Sequence, residues 1–419
     1  MLNRLHTIIS ILVILSFVLV LTSCAPSAAP TIPAQKATVT VNIGALLDLS
    51  GPTATSTQPG VDGIRDFINY ENQKGGLDWS GGKVIIKLNE VDNRYDPSIS
   101  MPAYDKMVAQ GYPIILTHQS ADNLALKGKA KNDQVVLVTL SPTPGALTPP
   151  GWVFANYIDH ASAFCAFCNW AKATWKGSGT PKIASLTWDT AYGKAHMCAL
   201  DYPKQIGLEY VGTEYTPMMP QDVSPQVTRL KEAGADYVWT QAVIISTYLK
   251  DMKRLGFQGK LVTGLNTGLI EWIPTVTPEV MAGTMHVSGL IDMAAADPNG
   301  PFMKKFNEVT TTLNVKRPHS TFYPNGASAA ILVQKAIVSA LNTVGDIKKL
   351  NGKACYDALV NMKNVDSLGI TDKFTFSETQ RRGSMSIQVV QAQPDGSIKL
   401  IADWTKAPDA LEKYPDCAK

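Results

Sequence analysis

An excess of charge of either sign is nearly missing from this 419-residue chain: 38 Lys and Arg stand against 35 Asp and Glu, for a formal net charge of +3. No Lys or Arg run breaks that balance, so the sequence offers no basic face for nucleic acid. Histidine is scarce, with 6 residues placed singly. HExxH, the GxSxG elbow and GxxxxGK[ST] are all absent, which removes the common zinc-protease, hydrolase and phosphate-loop chemistries. "WKGSGTPK" (175–182) has the glycines of a phosphate loop but precedes a strand instead of opening a helix, and it reads as a turn. Cysteine is also sparse. Cys165 and Cys168 have redox or metal spacing, yet they lie inside a helical pattern and no second CxxC completes a zinc site. The expectation is a protein that is not an enzyme and that carries no cofactor and no metal.

What is present begins at the N-terminus. Ile8–Leu21 is apolar apart from Ser10 and Ser16, follows Arg4 and His6, and is shorter than the roughly 20 residues a membrane span needs. Leu21-Thr22-Ser23-Cys24 resembles the bacterial lipobox, in which the cysteine is lipidated and becomes the first residue after cleavage. The expected layout is a signal peptide over 1–23, lipidated Cys24, and a flexible Pro- and Ala-rich tether over 24–37. That places the protein outside the cytoplasm, anchored to the outer face of the cell membrane or on its periplasmic side. No later segment is expected to span a bilayer. Export permits disulfides. Of the five remaining cysteines, Cys355 is expected to pair with Cys417, and Cys198 with Cys165 or Cys168.

Strand-like and helix-like segments alternate from Thr38 to Leu140. Thr38–Leu47, Lys83–Asp92, Ile114–Leu116 and Val135–Leu140 read as strands, with helical spacing between them. Asp96-Pro97 supplies an N-cap and a first-turn proline. Prolines at 144, 149 and 150 interrupt the pattern, and a second α/β unit follows, including an expected helix over Tyr192–Ile206. Near the end two strands flank Pro394-Asp395-Gly396, a hairpin signal. The fold class is α/β: two doubly wound parallel-sheet lobes facing one another. Open parallel sheets bind ligands beyond the carboxyl ends of their strands, so the site is expected in a cleft between the lobes.

The loops there carry a family resemblance. "VNIGALLDLSGPTATSTQPGVDGIRDFINYENQKGG", "NEVDNRYDPSISMPAYDKMVAQG", "SPTPGALT", "WDTAYGKA" and "QVTRLKEAGADYVWTQA" occur in the order and spacing of the leucine/isoleucine/valine-type binding proteins of ABC importers, from about Val39 to about Gly264. The resemblance implies the type I periplasmic binding fold with three crossovers. It divides the chain into lobe 1 (38–157 and 287–365) and lobe 2 (158–286 and 366–419). It also implies a monomer that traps a small-molecule ligand by hinge closure and hands it to ABC permease subunits. A ligand-sensing ectodomain of a signalling system would use the same fold; the lipid anchor and the end at Lys419 favour the importer.

Residue by residue, the resemblance assigns Ser120 and Thr143 to a ligand carboxylate and Tyr192 to the second lobe's cover over the ligand. Gln241 falls where the family has a tyrosine, and Asn266 where it has the acid that meets an amino acid's ammonium. A buried ammonium without a counter-charge costs several kcal/mol. Either Asp122, Asp189 or Glu271 replaces that acid, or the ligand lacks the amine; the second alternative is preferred. His118 is a candidate donor to a carboxylate, and Trp188 a candidate for stacking. The expected ligand is a small aromatic or aliphatic acid, or an amino acid.

Overall fold

Continuous buried runs of β-branched and aliphatic residues form strands in two blocks. A computed structural model describes residues 37–418. The first block holds β1 (Ala37–Leu47), β2 (Leu77–Trp79), β3 (Gly82–Asp92), β4 (Ile114–Thr117), β5 (Val136–Thr139) and β6 (Val153–Ala155), in the spatial order β2-β3-β1-β4-β5-β6. The second holds β7 (Lys182–Trp188), β8 (Glu209–Thr216), β9 (Tyr237–Thr240), β10 (Lys260–Thr263), β11 (Met285–Ser288), β12 (Ser386–Ala392) and β13 (Ile398–Lys406), ordered β13-β12-β11-β10-β9-β7-β8. β4 pairs in parallel with β1 and β5, and β9 in parallel with β7 and β10. The strand order reverses between β1 and β4 in one sheet and between β7 and β9 in the other. Antiparallel hairpins finish the edges: β2–β3, which the sequence pattern did not show, and β12–β13, which it did.

Helices of nine residues or more are α1 (Ala54–Gln73), α2 (Pro97–Ala109), α3 (Ser120–Asp133), α4 (His160–Thr174), α5 (Ser224–Glu232), α6 (Ser246–Arg254), α7 (Pro301–Leu313), α8 (Tyr323–Val344) and α9 (Gly352–Val360). Asp96 caps α2, accepting from the Ser98 amide, with Pro97 in the first turn as its sequence implies. After β6 the chain enters the second sheet, after β11 it returns to pack α7 and α8 on α1, and after α9 it comes back as β12. By length and composition α8 could cross a membrane, which corrects the expectation that no later segment qualifies. Its interior place explains the composition. A Cβ on Gly326 would stand 1.7 Å from the Gly60 carbonyl oxygen, so α8 and α1 meet backbone to backbone.

Two expectations fail. The segment 192–206 is not one helix: a turn leads to one turn of 3-10 helix at Met197–Ala199 and a short helix at Asp201–Gln205. Gly193 packs so tightly on Trp188 that a Cβ would lie 1.9 Å from its carbonyl oxygen, and Pro203 follows. The disulfide joins Cys198 to Cys417, with Cα atoms 5.0 Å apart, instead of Cys355 to Cys417 or Cys198 to Cys165 or Cys168. Cys165, Cys168 and Cys355 are free thiols buried on the inner faces of their helices. The tail reaches Cys198 because Arg382, itself paired with buried Asp159 at 2.7 Å, holds Asp409 at 2.6 Å. The signal peptide, Cys24 and residues 24–36 of the tether lie outside the described residues.

Candidate ligand-binding site

Both strand-order reversals open on the same place. The loops after β1 and β4 supply Thr53, His118 and Gln119, and the first turn of α1 supplies Thr57; the loops after β3 and β5 supply Tyr95 and Ser141. From the second sheet, the loops after β7, β9 and β10 supply Tyr192, Val243 and Asn266, and Phe322 closes one end. Together they surround a cavity of about 30 Å3. A larger hollow near Trp175 and Asp236 sits at the amino ends of β9 and β10, where open sheets do not bind ligands.

No Asp, Glu, Lys or Arg lines this cavity. His118 is neutral, since burial pushes its pKa down to about 4, and its Nδ1 is buried without a partner. Gln119, just before α3, makes no side-chain cap, so the amide end of that helix is left for another acceptor. Tyr192 donates from its hydroxyl to the Leu265 carbonyl at 2.6 Å, which fixes its ring over the gap. Burial raises its pKa, and the phenol of Tyr95 adds to the rise.

Of the residues singled out in the sequence, His118, Tyr192 and Asn266 reach the cavity wall. Asn266 arrives in a left-handed conformation, φ 66°, with its amide already engaged. It donates to the Leu140 carbonyl at 2.9 Å, and its Oδ1 accepts from the Tyr157 hydroxyl at 2.7 Å and from Asn325 at 3.0 Å. Ser120, Thr143, Gln241 and Trp188 lie one layer behind. Ser120 shares a 2.9 Å hydrogen bond with Ser141, and Thr143 donates to the Ser141 carbonyl at 3.3 Å. Gln241 donates to His160 Nδ1 at 2.5 Å. Trp188 is wholly buried in the core beneath Tyr192, 6.1 Å between ring centres.

None of the three alternative acids lines the cavity. Asp122 is buried and accepts from Asn93 and Ser100, each at 2.8 Å. Asp189 is exposed and paired with Lys194. Glu271 is half-buried and accepts from the Ser320 hydroxyl and the Thr321 amide, at 2.8 and 2.7 Å. Tyr95 and Gln119 were missed, although both follow the carboxyl end of a strand; the loop after β3 was the signal that would have found Tyr95.

The periplasmic binding protein family model matches residues 40–397. No curated protein matches. Among solved structures, a branched-chain amino acid ABC transporter protein from Thermus thermophilus with bound valine is 20% identical, with a TM-score of 0.78 over 90% of this chain and 98% of that one. A substrate-binding protein of an ABC transporter from Aeropyrum pernix is 21% identical, with a TM-score of 0.80 over 91% and 99%. A fatty acid ABC transporter substrate-binding protein from Thermomonospora curvata is 17% identical, with a TM-score of 0.77 over 90% and 94%. At these identities the likeness is one of fold. With two α/β sheets joined by three passages, a cavity between their carboxyl ends, and a family match over most of its length, the chain belongs to the periplasmic binding protein family, whose members bind solutes outside the cytoplasm and are not enzymes.

Proposed function

We propose that the protein is the receptor of an ABC importer. It captures a small carboxylate, either an aromatic or aliphatic acid or an amino acid, by closing lobe 1 (38–157 and 287–365) on lobe 2 (158–286 and 366–419), and it delivers the solute to the permease as a lipid-anchored monomer. The observation that carries this reading is the cavity itself: both sheets contribute to it, no charged side chain lines it, and it lies beside the uncapped start of α3. Free amide hydrogens and the helix dipole make such a terminus a seat for an anion without a cationic side chain. Ser120, the first residue of α3, is the hydroxyl we assign to the carboxylate, in exchange for its present partner Ser141. An α-ammonium has no counter-charge in this wall, because Asn266, where the family acid is expected, is neutral.

Calorimetry of the purified protein tests the reading. Small carboxylates without an amine should bind, and should weaken by tenfold or more in Ser120→Ala, while leucine, isoleucine and valine bind poorly. Micromolar leucine binding that survives Ser120→Ala would overturn it.

A further inference from the structure

The turn after β3 is unusual. Arg94 and Tyr95 are consecutive left-handed residues, φ 52° and 62°, and neither is the glycine, asparagine or aspartate that usually accepts that region. The turn is held in place from below. Asn93 receives the Tyr95 amide at 3.1 Å on its side chain, donates to buried Asp122 at 2.8 Å and to Ser100 at 3.1 Å, and ties its own amide to the Leu47 carbonyl at 2.9 Å. Strain maintained by so many partners is found where a side chain must be aimed. Here it holds Tyr95 in the cavity wall, which Tyr192 also lines.

The groups facing the cavity are neutral. Burial raises the Tyr95 phenol to about 12 and lowers His118 to about 4, so near neutral pH the first keeps its proton and the second takes none. Among the described residues the buried Nδ1 of His118 has no hydrogen-bond partner, and the Tyr95 phenol lines the same cavity. A phenol both gives and accepts a hydrogen bond, and a neutral imidazole offers one donor and one acceptor. Their complement is an uncharged group that can also do both.

Resting on the carboxylate reading above, we propose that the solute is a hydroxy acid, and that Tyr95 together with His118 recognises its hydroxyl group. Tyr95 is then a residue that sets specificity. An apolar acid would leave these polar atoms unpaired, and sites built to bond a hydroxyl reject analogues that lack it.

Matched pairs test this. Binding of 4-methylpentanoate, 2-hydroxy-4-methylpentanoate, benzoate and 4-hydroxybenzoate is measured by calorimetry on the wild-type protein and on Tyr95→Phe, with melting curves to confirm that the variant is folded. At least one hydroxy acid should bind tenfold or more tighter than its parent, and Tyr95→Phe should shrink that ratio to within about twofold. If the parents bind and neither hydroxyl adds affinity, or if the advantage survives Tyr95→Phe, the hydroxyl inference is wrong and the carboxylate reading stands. If none of the four acids binds, the carboxylate reading fails and this inference fails with it.

Discussion

Asn266 shows how a residue's position in the chain can point to a role that its contacts do not carry. It falls where a ligand-reading acid is expected, yet its amide ties the loop after β10 to the carbonyl that follows β5. Its partners Leu140 and Tyr157 are 126 and 109 residues away in sequence, so nothing in the local pattern announces the tie. Replacing it with alanine removes two or more buried hydrogen bonds worth about 1 kcal/mol each. Asn266→Ala should therefore weaken every ligand by a similar factor, about tenfold or more, without reordering them. A change in rank order between ligands, read by calorimetry, would instead place the amide on the solute.

Glu271 makes a second prediction at the same scale. Burial pushes its pKa up from 4.5 to about 7; the hydrogen bonds from Ser320 and Thr321 oppose the rise, and buried Asp292 adds to it. Asp292 is raised by burial as well, and His319 is the nearby basic group that draws it back down. Because the folded value lies above the unfolded one, the stabilisation is complete below about pH 4.5 and is lost as pH rises through about 7. The loss is on the order of 3 kcal/mol. Melting temperature should fall between pH 5 and pH 8, and Glu271→Gln should flatten that slope; an unchanged slope would remove Glu271 from the account.

Among the elements, the buried strands were the most legible, because a parallel strand covered on both faces is a continuous β-branched run and needs no partner to be recognised. Pro394-Asp395-Gly396 likewise marked the β12–β13 turn. The segment after β7 was not legible. Its composition suits a helix, but Gly193 is pressed onto Trp188 and Cys198 is drawn to a tail 219 residues away. Pairing of that kind is decided by the packing of the whole chain, so cysteine spacing alone could not select it. A bridge closing a loop of this length contributes about 5 kcal/mol in the chain-entropy model. Alkylation and peptide mapping should find Cys198 linked to Cys417, with Cys165, Cys168 and Cys355 modified only after unfolding. Cys417→Ser should lower stability by about 2–5 kcal/mol in a denaturant titration. A Cys355–Cys417 peptide would contradict the structure.

For the molecule as a whole, two facing α/β sheets and a cleft were readable from alternation and from the resemblance up to about Gly264. The wall of the cleft was not, since it is assembled from loops of both sheets, and Phe322 joins it only after the chain has returned to the first. The anchor belongs to this scale too. Cys24 is the cysteine at the lipobox spacing, so Cys24→Ala should abolish lipid labelling and move the protein from the membrane fraction to the soluble exported fraction. Retention at the membrane would show that something else holds it there.

The Leu140 carbonyl oxygen accepts from Asn266 and Asn325, at 2.9 and 3.0 Å, and shares the single hydroxyl proton of Tyr157, 3.0 Å away, with Asn266 Oδ1. That acceptor belongs to the main chain, so no side-chain replacement at position 140 deletes it. The cavity-wall residues Tyr95 and His118 are not part of this cluster. Descendants of such a binding protein can therefore exchange wall residues of this kind while the tie between loops of the two sheets is inherited intact. Choice of cargo and manner of capture are free to evolve at different rates.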